Sequence, residues 1–146
     1  RENLVLWNND GDLLLKKGAL LRNKDVYFKK FIAWTKISSA GTGFRWFEDN
    51  FLFDGAGGSL FIASEDLNEY YCVALLNSSP IRMILDIISP TLNYNENHIG
   101  SIPVLFEKVQ ENSKFIEEKS KENIRISKED WDSFETSWDF KRHPLV

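Results

Sequence analysis

Phe31-Ile32-Ala33-Trp34-Thr35-Lys36-Ile37, Ser38-Ser39-Ala40-Gly41-Thr42-Gly43 and Phe44-Arg45-Trp46-Phe47 follow one another without interruption. The two outer runs are rich in β-branched and aromatic residues, which pack well on a pleated surface. The middle run holds serine, threonine and glycine, the residues of turns. The reading is strand, loop, strand, and short strands continue on either side of it. Leu4-Val5-Leu6-Trp7 is strand-like and ends at the turn signal Asn8-Asn9-Asp10-Gly11, across which Leu13 to Lys17 is expected to pair back. Phe51-Leu52-Phe53 and Ser59 to Ala63 complete the set. The implied sheet is small, antiparallel or mixed.

Helices follow it. Asp66 and Glu69 have capping-box spacing ahead of Leu67 to Asn77, which is apolar on most sides and is expected to be buried. Ser79-Pro80 starts a second helix, in which Ile81, Ile84, Leu85 and Ile88 form one stripe before Pro90. Thr91 to Gly100 is polar and turn-forming, and Ile102-Pro103-Val104-Leu105 is extended. Residues 106–122 are charged, without proline or glycine, and carry Phe106, Val109 and Ile116 on one side and the pair Glu117–Lys121 on the other. Ser127 with Asp130 signals another helix start. The expected fold is therefore α+β: an α/β core over residues 1–105, with a sheet packed by helices, and a helical extension over 106–146 that leads to the next part of a longer chain.

Size and composition narrow the function classes. The 146 residues suffice for one domain with a real core, and 42% hydrophobic with 27% charged residues is ordinary for a globular protein. No apolar run approaches the length of a membrane helix and no signal peptide opens the chain. Cys72 is the only cysteine, which excludes an internal disulfide and fits a reducing, cytoplasmic location. With no initiator methionine at Arg1 and Met83 the sole methionine, the chain reads as a segment from the middle of a longer polypeptide. The net charge is −4, unevenly spread: residues 1–46 hold nine Lys/Arg against four Asp/Glu, and residues 47–146 hold nine against eighteen. That split suits a basic face for phosphates, or simply two solvated surfaces of opposite sign.

Catalytic signatures are weak. Phe53-Asp54-Gly55-Ala56-Gly57 matches the F-x-G-x-G loop of S-adenosylmethionine-dependent methyltransferases, but a strand-like Gly58 to Ala63 follows where that loop needs a helix. A hairpin turn is the better reading. The Asp/Asn-Pro-Pro-Tyr/Phe motif of adenine methylation is absent, as is the Gly-Lys-Ser/Thr of a phosphate loop. Cys72 sits mid-helix as a small core residue, and His98 and His143 lack neighbours at metal-ligand spacing. What remains is a basic, aromatic first third. There, cations meet phosphates and hydroxyls set register, or the rings fill a core beneath an ordinary surface.

Several longer stretches form a recognisable series. They are Trp7-Asn8-Asn9-Asp10-Gly11, Tyr27-Phe28-Lys29-Lys30 through Ala33-Trp34-Thr35-Lys36-Ile37-Ser38, Phe44-Arg45-Trp46-Phe47 and Phe51-Leu52-Phe53-Asp54. Leu75-Leu76-Asn77-Ser78, Pro90-Thr91-Leu92-Asn93-Tyr94 and Ile99-Gly100-Ser101-Ile102-Pro103-Val104 continue it, and the run from Ile126 to Phe140 leads into Lys141-Arg142-His143-Pro144-Leu145. Together they resemble the region after the catalytic domain in the adenine-specific methyltransferases of BREX phage-resistance systems. Single-chain restriction–modification enzymes carry a similar segment. The resemblance implies a parent that methylates adenine N6 with S-adenosylmethionine after base flipping. It also implies a target-recognition segment that binds double-stranded DNA, beside the catalytic domain of the same chain and other defence-complex subunits. This segment is expected to carry no catalytic residue, metal site or cofactor of its own. Within the matched loops, side-chain chemistry marks Lys29, Lys30, Lys36, Ser38, Ser39, Thr42, Arg45 and Trp46 as DNA-binding candidates, with Asn93, Tyr94, Asn95 and His98 as a second group. The alternative is a protein-interaction module whose charged helices over 106–140 dock a partner subunit.

Overall fold

Three strands, β1 (Phe31–Thr35), β2 (Phe44–Phe47) and β3 (Gly57–Leu60), form an antiparallel sheet in the order β2-β1-β3. The computed structural model describes residues 3–64, 67–104 and 112–145. Register follows the pleat: Ile32 pairs with Trp46 and Leu60, and Trp34 with Phe44 and Gly58. Side chains alternate, so these residues share one face, while Phe31–Phe47, Ala33–Arg45–Ser59 and Thr35–Gly57 share the other. Ile32 and Trp34 are almost wholly buried. On the opposite face, Phe31 stacks on Phe47 with ring centroids 4.9 Å apart, and Phe53 and Phe61 lie against Phe31 at 6.0 and 5.8 Å.

Four helices among the described residues precede the last long one: α1 (Asp12–Lys16), α2 (Glu69–Leu76), α3 (Ser79–Ile88) and α4 (Glu96–Gly100). Helix α2 packs on β2, α3 on α2, and α4 on α3. Asn68 caps α2, its Oδ1 accepting from the Tyr70 and Tyr71 amides. The Asp66 of the expected capping box lies outside the described residues. Pro80 sits in the first turn of α3, where a missing amide costs nothing. Of the expected stripe, Ile81 and Leu85 are buried and Ile84 and Ile88 half-buried.

Asn77 binds the helices to the sheet. Its Oδ1 accepts from the Phe44 amide at 3.0 Å, and its Nδ2 donates to the Phe44 carbonyl at 2.9 Å and to that of Val73 at 2.8 Å. One side chain thus pairs with β2 as a strand would, which gives the Leu-Leu-Asn-Ser motif a physical meaning.

Several local expectations change. Leu13 to Lys17 does not pair back as a strand: Asn9, Asp10 and Gly11 are all left-handed, and α1 follows, closed by the Asp12–Lys16 pair at 2.6 Å. A β-carbon at Gly11 would lie 2.7 Å from Leu21 and 3.0 Å from the Trp7 ring. Leu4 to Trp7 and Phe51 to Phe53 take no regular structure. The rings of 51–53 pack instead of pairing, Phe51 against Phe47 and Phe53 against Tyr27, Phe31 and Phe61. The Phe53–Gly57 turn is not a hairpin between paired strands, because β3 pairs with β1 rather than with β2. Thr91 to Gly100 contains α4, capped by Asn95. Ile102 to Val104 takes no regular structure, and Leu105 lies outside the described residues.

Helix α5 (Ser113–Asp132) runs unbroken through the start expected at Ser127. The i,i+4 pairs Lys121–Glu117, Arg125–Glu129 and Lys128–Asp132 support it along its length. Phe106 and Val109 lie outside the described residues, as does the expected domain break near 105. The chain forms two compact units, Arg1–Val26 with Asn123–Val146, and Tyr27–Glu122. Among the described residues no single helix is long and apolar enough to cross a membrane.

Candidate nucleic-acid interface

Beyond Thr35 the chain leaves the three-stranded sheet and pairs with a segment far away in sequence. The Ser38 amide donates to the Leu92 carbonyl at 3.0 Å, the Tyr94 amide to the Lys36 carbonyl at 2.6 Å, and Ile37 and Asn93 face each other between them. Trp34 locks this arrangement from below. Its Nε1 donates to the Tyr94 carbonyl at 2.7 Å, in the core. The two loops singled out from the sequence, 38–43 and 93–98, thereby become neighbours at one end of β1.

Within the first loop the hydroxyls serve the fold. Ser38 Oγ donates to the Gly41 carbonyl at 2.6 Å and Thr42 Oγ1 to that of Thr35 at 3.2 Å. Gly41 has φ 82, and a β-carbon there would come within 3.3 Å of the Arg82 guanidinium. Arg82 projects from α3 and is exposed, and no carboxylate pairs with it among the described residues. In the sequence it is a polar position on an apolar helix and nothing more; only its place beside Gly41 marks it.

The other candidates separate by environment. Lys36 pairs with Glu96 at 2.6 Å and donates to the Gly55 carbonyl at 3.3 Å. The hydrogen bond from Lys36 holds the Glu96 carboxyl below its ordinary range, so the pair persists at neutral pH. Lys30 pairs with Glu69 at 3.1 Å, and this hydrogen bond raises its ammonium pKa. Both charges are neutralised within the chain. Lys29 and Arg45 are exposed and make no ion pair among the described residues. Arg45 stands on the second sheet face opposite Ala33, whose other partner is Ser59, so small residues leave its guanidinium open.

The aromatic candidates are structural. Trp46 lies 5.5 Å from the Tyr70 ring with its Nε1 shielded from solvent. Tyr94 is buried. In the second loop Asn95 Oδ1 accepts from the His98 amide at 3.1 Å, and His98 Nδ1 is shielded without a partner among the described residues. Ser39 and Asn93 are exposed.

Two amides of the glycine loop are engaged within the loop itself. Asp54 Oδ1 accepts from the amides of Ala56 at 2.9 Å and Gly57 at 3.2 Å, and β3 begins at Gly57. Those two amides are spent on Asp54, and a strand follows the loop where the S-adenosylmethionine loop has a helix. No group of His, Cys, Asp and Glu that would hold a metal ion occurs among the described residues.

No family model matches the chain. It is 37% identical over 146 residues, 99% of its length, to the adenine-specific methyltransferase BrxX of Escherichia coli O9:H4 (strain HS). It is 30% identical over 151 residues, 98% of its length, to the adenine-specific methyltransferase PglX of Lacticaseibacillus casei (strain Zhang). In both cases it spans 12% of the relative's own length. Along almost its whole length the chain is therefore homologous to one segment of the BREX adenine-specific methyltransferases.

Proposed function

We propose that this chain is the DNA target-recognition segment of a bacterial, S-adenosylmethionine-dependent adenine-N6 DNA methyltransferase of phage defence or restriction–modification. The observation that supports it most is the union of loops 38–43 and 93–98 by the Ile37–Asn93 bridge, which makes one polar surface of two candidate regions. Arg82, Arg45 and Lys29 supply open charge for phosphates. Lys30 and Lys36, already paired, contribute less. Methyl transfer belongs to the catalytic domain of the same enzyme, where the cofactor and the flipped adenine meet. The spent amides of the 53–57 loop agree with that division of labour.

The test is methylation of cognate and scrambled duplexes by the full-length enzyme at several salt concentrations. Lys29→Ala with Arg45→Ala should weaken both duplexes alike and lower the salt slope by roughly two, one for each phosphate no longer neutralised. Wild-type methylation at every salt would refute the reading. A docking module for a partner subunit is the second reading, favoured by the exposed Ile126, Phe134 and Trp138 near the acidic C-terminal end. Under it, substitution of those three would release the partner and leave the salt slope unchanged.

A further inference from the structure

The bridge between loops places two unlike side chains side by side. Ile37 and Asn93 form a pair flanked, not joined, by backbone hydrogen bonds. In such a pair the α-carbons approach to about 4.5 Å and the side chains stand adjacent on one face. Ile37 is 72% exposed, although Trp34, three residues before it, lies in the core. Asn93 is exposed as well, and its backbone is fully engaged: Ser89 Oγ donates to its carbonyl at 2.7 Å, and its amide donates to Thr91 Oγ1 at 3.3 Å. Its carboxamide has no partner among the described residues. This contrasts with Asn68, Asn77 and Asn95, whose side chains are committed to caps and clamps. The result is a fixed backbone carrying an uncommitted donor–acceptor head, with an apolar side chain at its shoulder.

One DNA feature matches both. In the major groove adenine offers an N7 acceptor and an N6 donor, which an asparagine carboxamide meets with two hydrogen bonds. The paired thymine offers on the same edge a methyl group, which no other unmodified base carries. We propose that Asn93 and Ile37 together read one A·T pair of the recognised site, Asn93 on adenine N6 and N7 and Ile37 on the thymine methyl. Arg82, beside Gly41 in the joined loop, holds a neighbouring phosphate. This assignment rests on the target-recognition reading and gives that surface its substrate: a major-groove A·T step.

The experiment uses the full-length methyltransferase, with its motif first obtained by sequencing the adenines it methylates. Duplexes are then made with deoxyuridine for thymine, which removes only the methyl, or 7-deazaadenine for adenine, which removes N7, at each position of the motif. The wild-type enzyme should lose about tenfold in methylation rate at one A·T pair with either analogue. Ile37→Ala should no longer distinguish thymine from deoxyuridine there, and Asn93→Ala should no longer distinguish adenine from 7-deazaadenine at the same pair. Wild-type discrimination by either variant at every position overturns the proposal. An Arg45→Ala/Arg82→Ala enzyme separates this failure from that of the broader reading. If it loses activity on all duplexes while the two other variants discriminate like wild type, the surface meets DNA without reading this pair. If it behaves as wild type too, target recognition by this surface falls as well. Thermal melts of Ile37→Ala and Asn93→Ala should match the unsubstituted enzyme, because neither side chain supports the core.

Discussion

Replacing Trp34 by phenylalanine removes one hydrogen-bond donor and part of one ring from the centre of the fold. Trp34 is 3% exposed, and its Nε1 donates at 2.7 Å to the carbonyl of Tyr94, itself 6% exposed. Without that donor the carbonyl stays buried and unpaired, at a cost of about 1–3 kcal/mol. The missing ring atoms add roughly 1–2 kcal/mol for the gap they leave. Relaxation around Gly58 is limited, because the indole lies directly over it: a β-carbon there would fall 2.1 Å from Trp34 Cε2. A total near 3 kcal/mol lowers the melting temperature by roughly 10 °C in a chain of this size. Circular dichroism measures the melt, and hydrogen exchange reads the second consequence. With Tyr94 no longer anchored, the Tyr94 and Ser38 amides, which donate to Lys36 and Leu92, should lose protection before the sheet does. An unchanged melt with both amides still protected would refute the view that Trp34 holds the two loops together.

Leu85→Asp should prevent folding, since Leu85 is 3% exposed and an unpaired carboxylate there costs several kcal/mol; a cooperative melt like that of the unsubstituted chain would exclude the buried face assigned to α3. Burial raises the Cys72 thiol from its ordinary 9.0 to about 11. A raised folded-state pKa gives stability that is complete below the unfolded value and lost as pH rises through the folded one, so roughly 2–3 kcal/mol should disappear between about pH 9 and 11. Cys72→Ala should flatten that stretch of the pH–stability profile. Glu96→Gln frees the Lys36 ammonium; under the DNA-binding reading it should tighten binding to all duplexes and raise the salt slope by roughly one, as measured by titration at several salt concentrations.

Much of the core was legible because its signals are local. Alternation in Phe31–Thr35 and Phe44–Phe47 and the stripe through Ile81 and Leu85 depend only on the periods of strand and helix, and both appear where those periods place them. Local signals misled where a long-range partner decides the outcome. The strand-like 51–53 run packs its rings instead of pairing, Phe51 on Phe47 and Phe53 on Tyr27, Phe31 and Phe61, while β3 takes the far side of β1. The helix start read at Ser127 lies inside α5, where the Arg125–Glu129 pair spans it. The candidate site was legible by composition and illegible by role. Lysine, tryptophan and asparagine in a loop announce polar or aromatic chemistry, yet whether each is spent on the fold depends on what stands opposite. Glu96 opposite Lys36 and Glu69 opposite Lys30 cancel charge that the chain order shows as free. The meeting of Ile37 with Asn93, and of Arg82 with Gly41, exists only after residues dozens of positions apart are folded together. The sequence by itself determined strands β1 and β2 and helices α2 and α3, since their periods and caps are settled within a turn or two of backbone. Which polar side chains stay uncommitted was decided by tertiary structure alone, because a hydrogen bond or ion pair between distant residues has no signature along the chain.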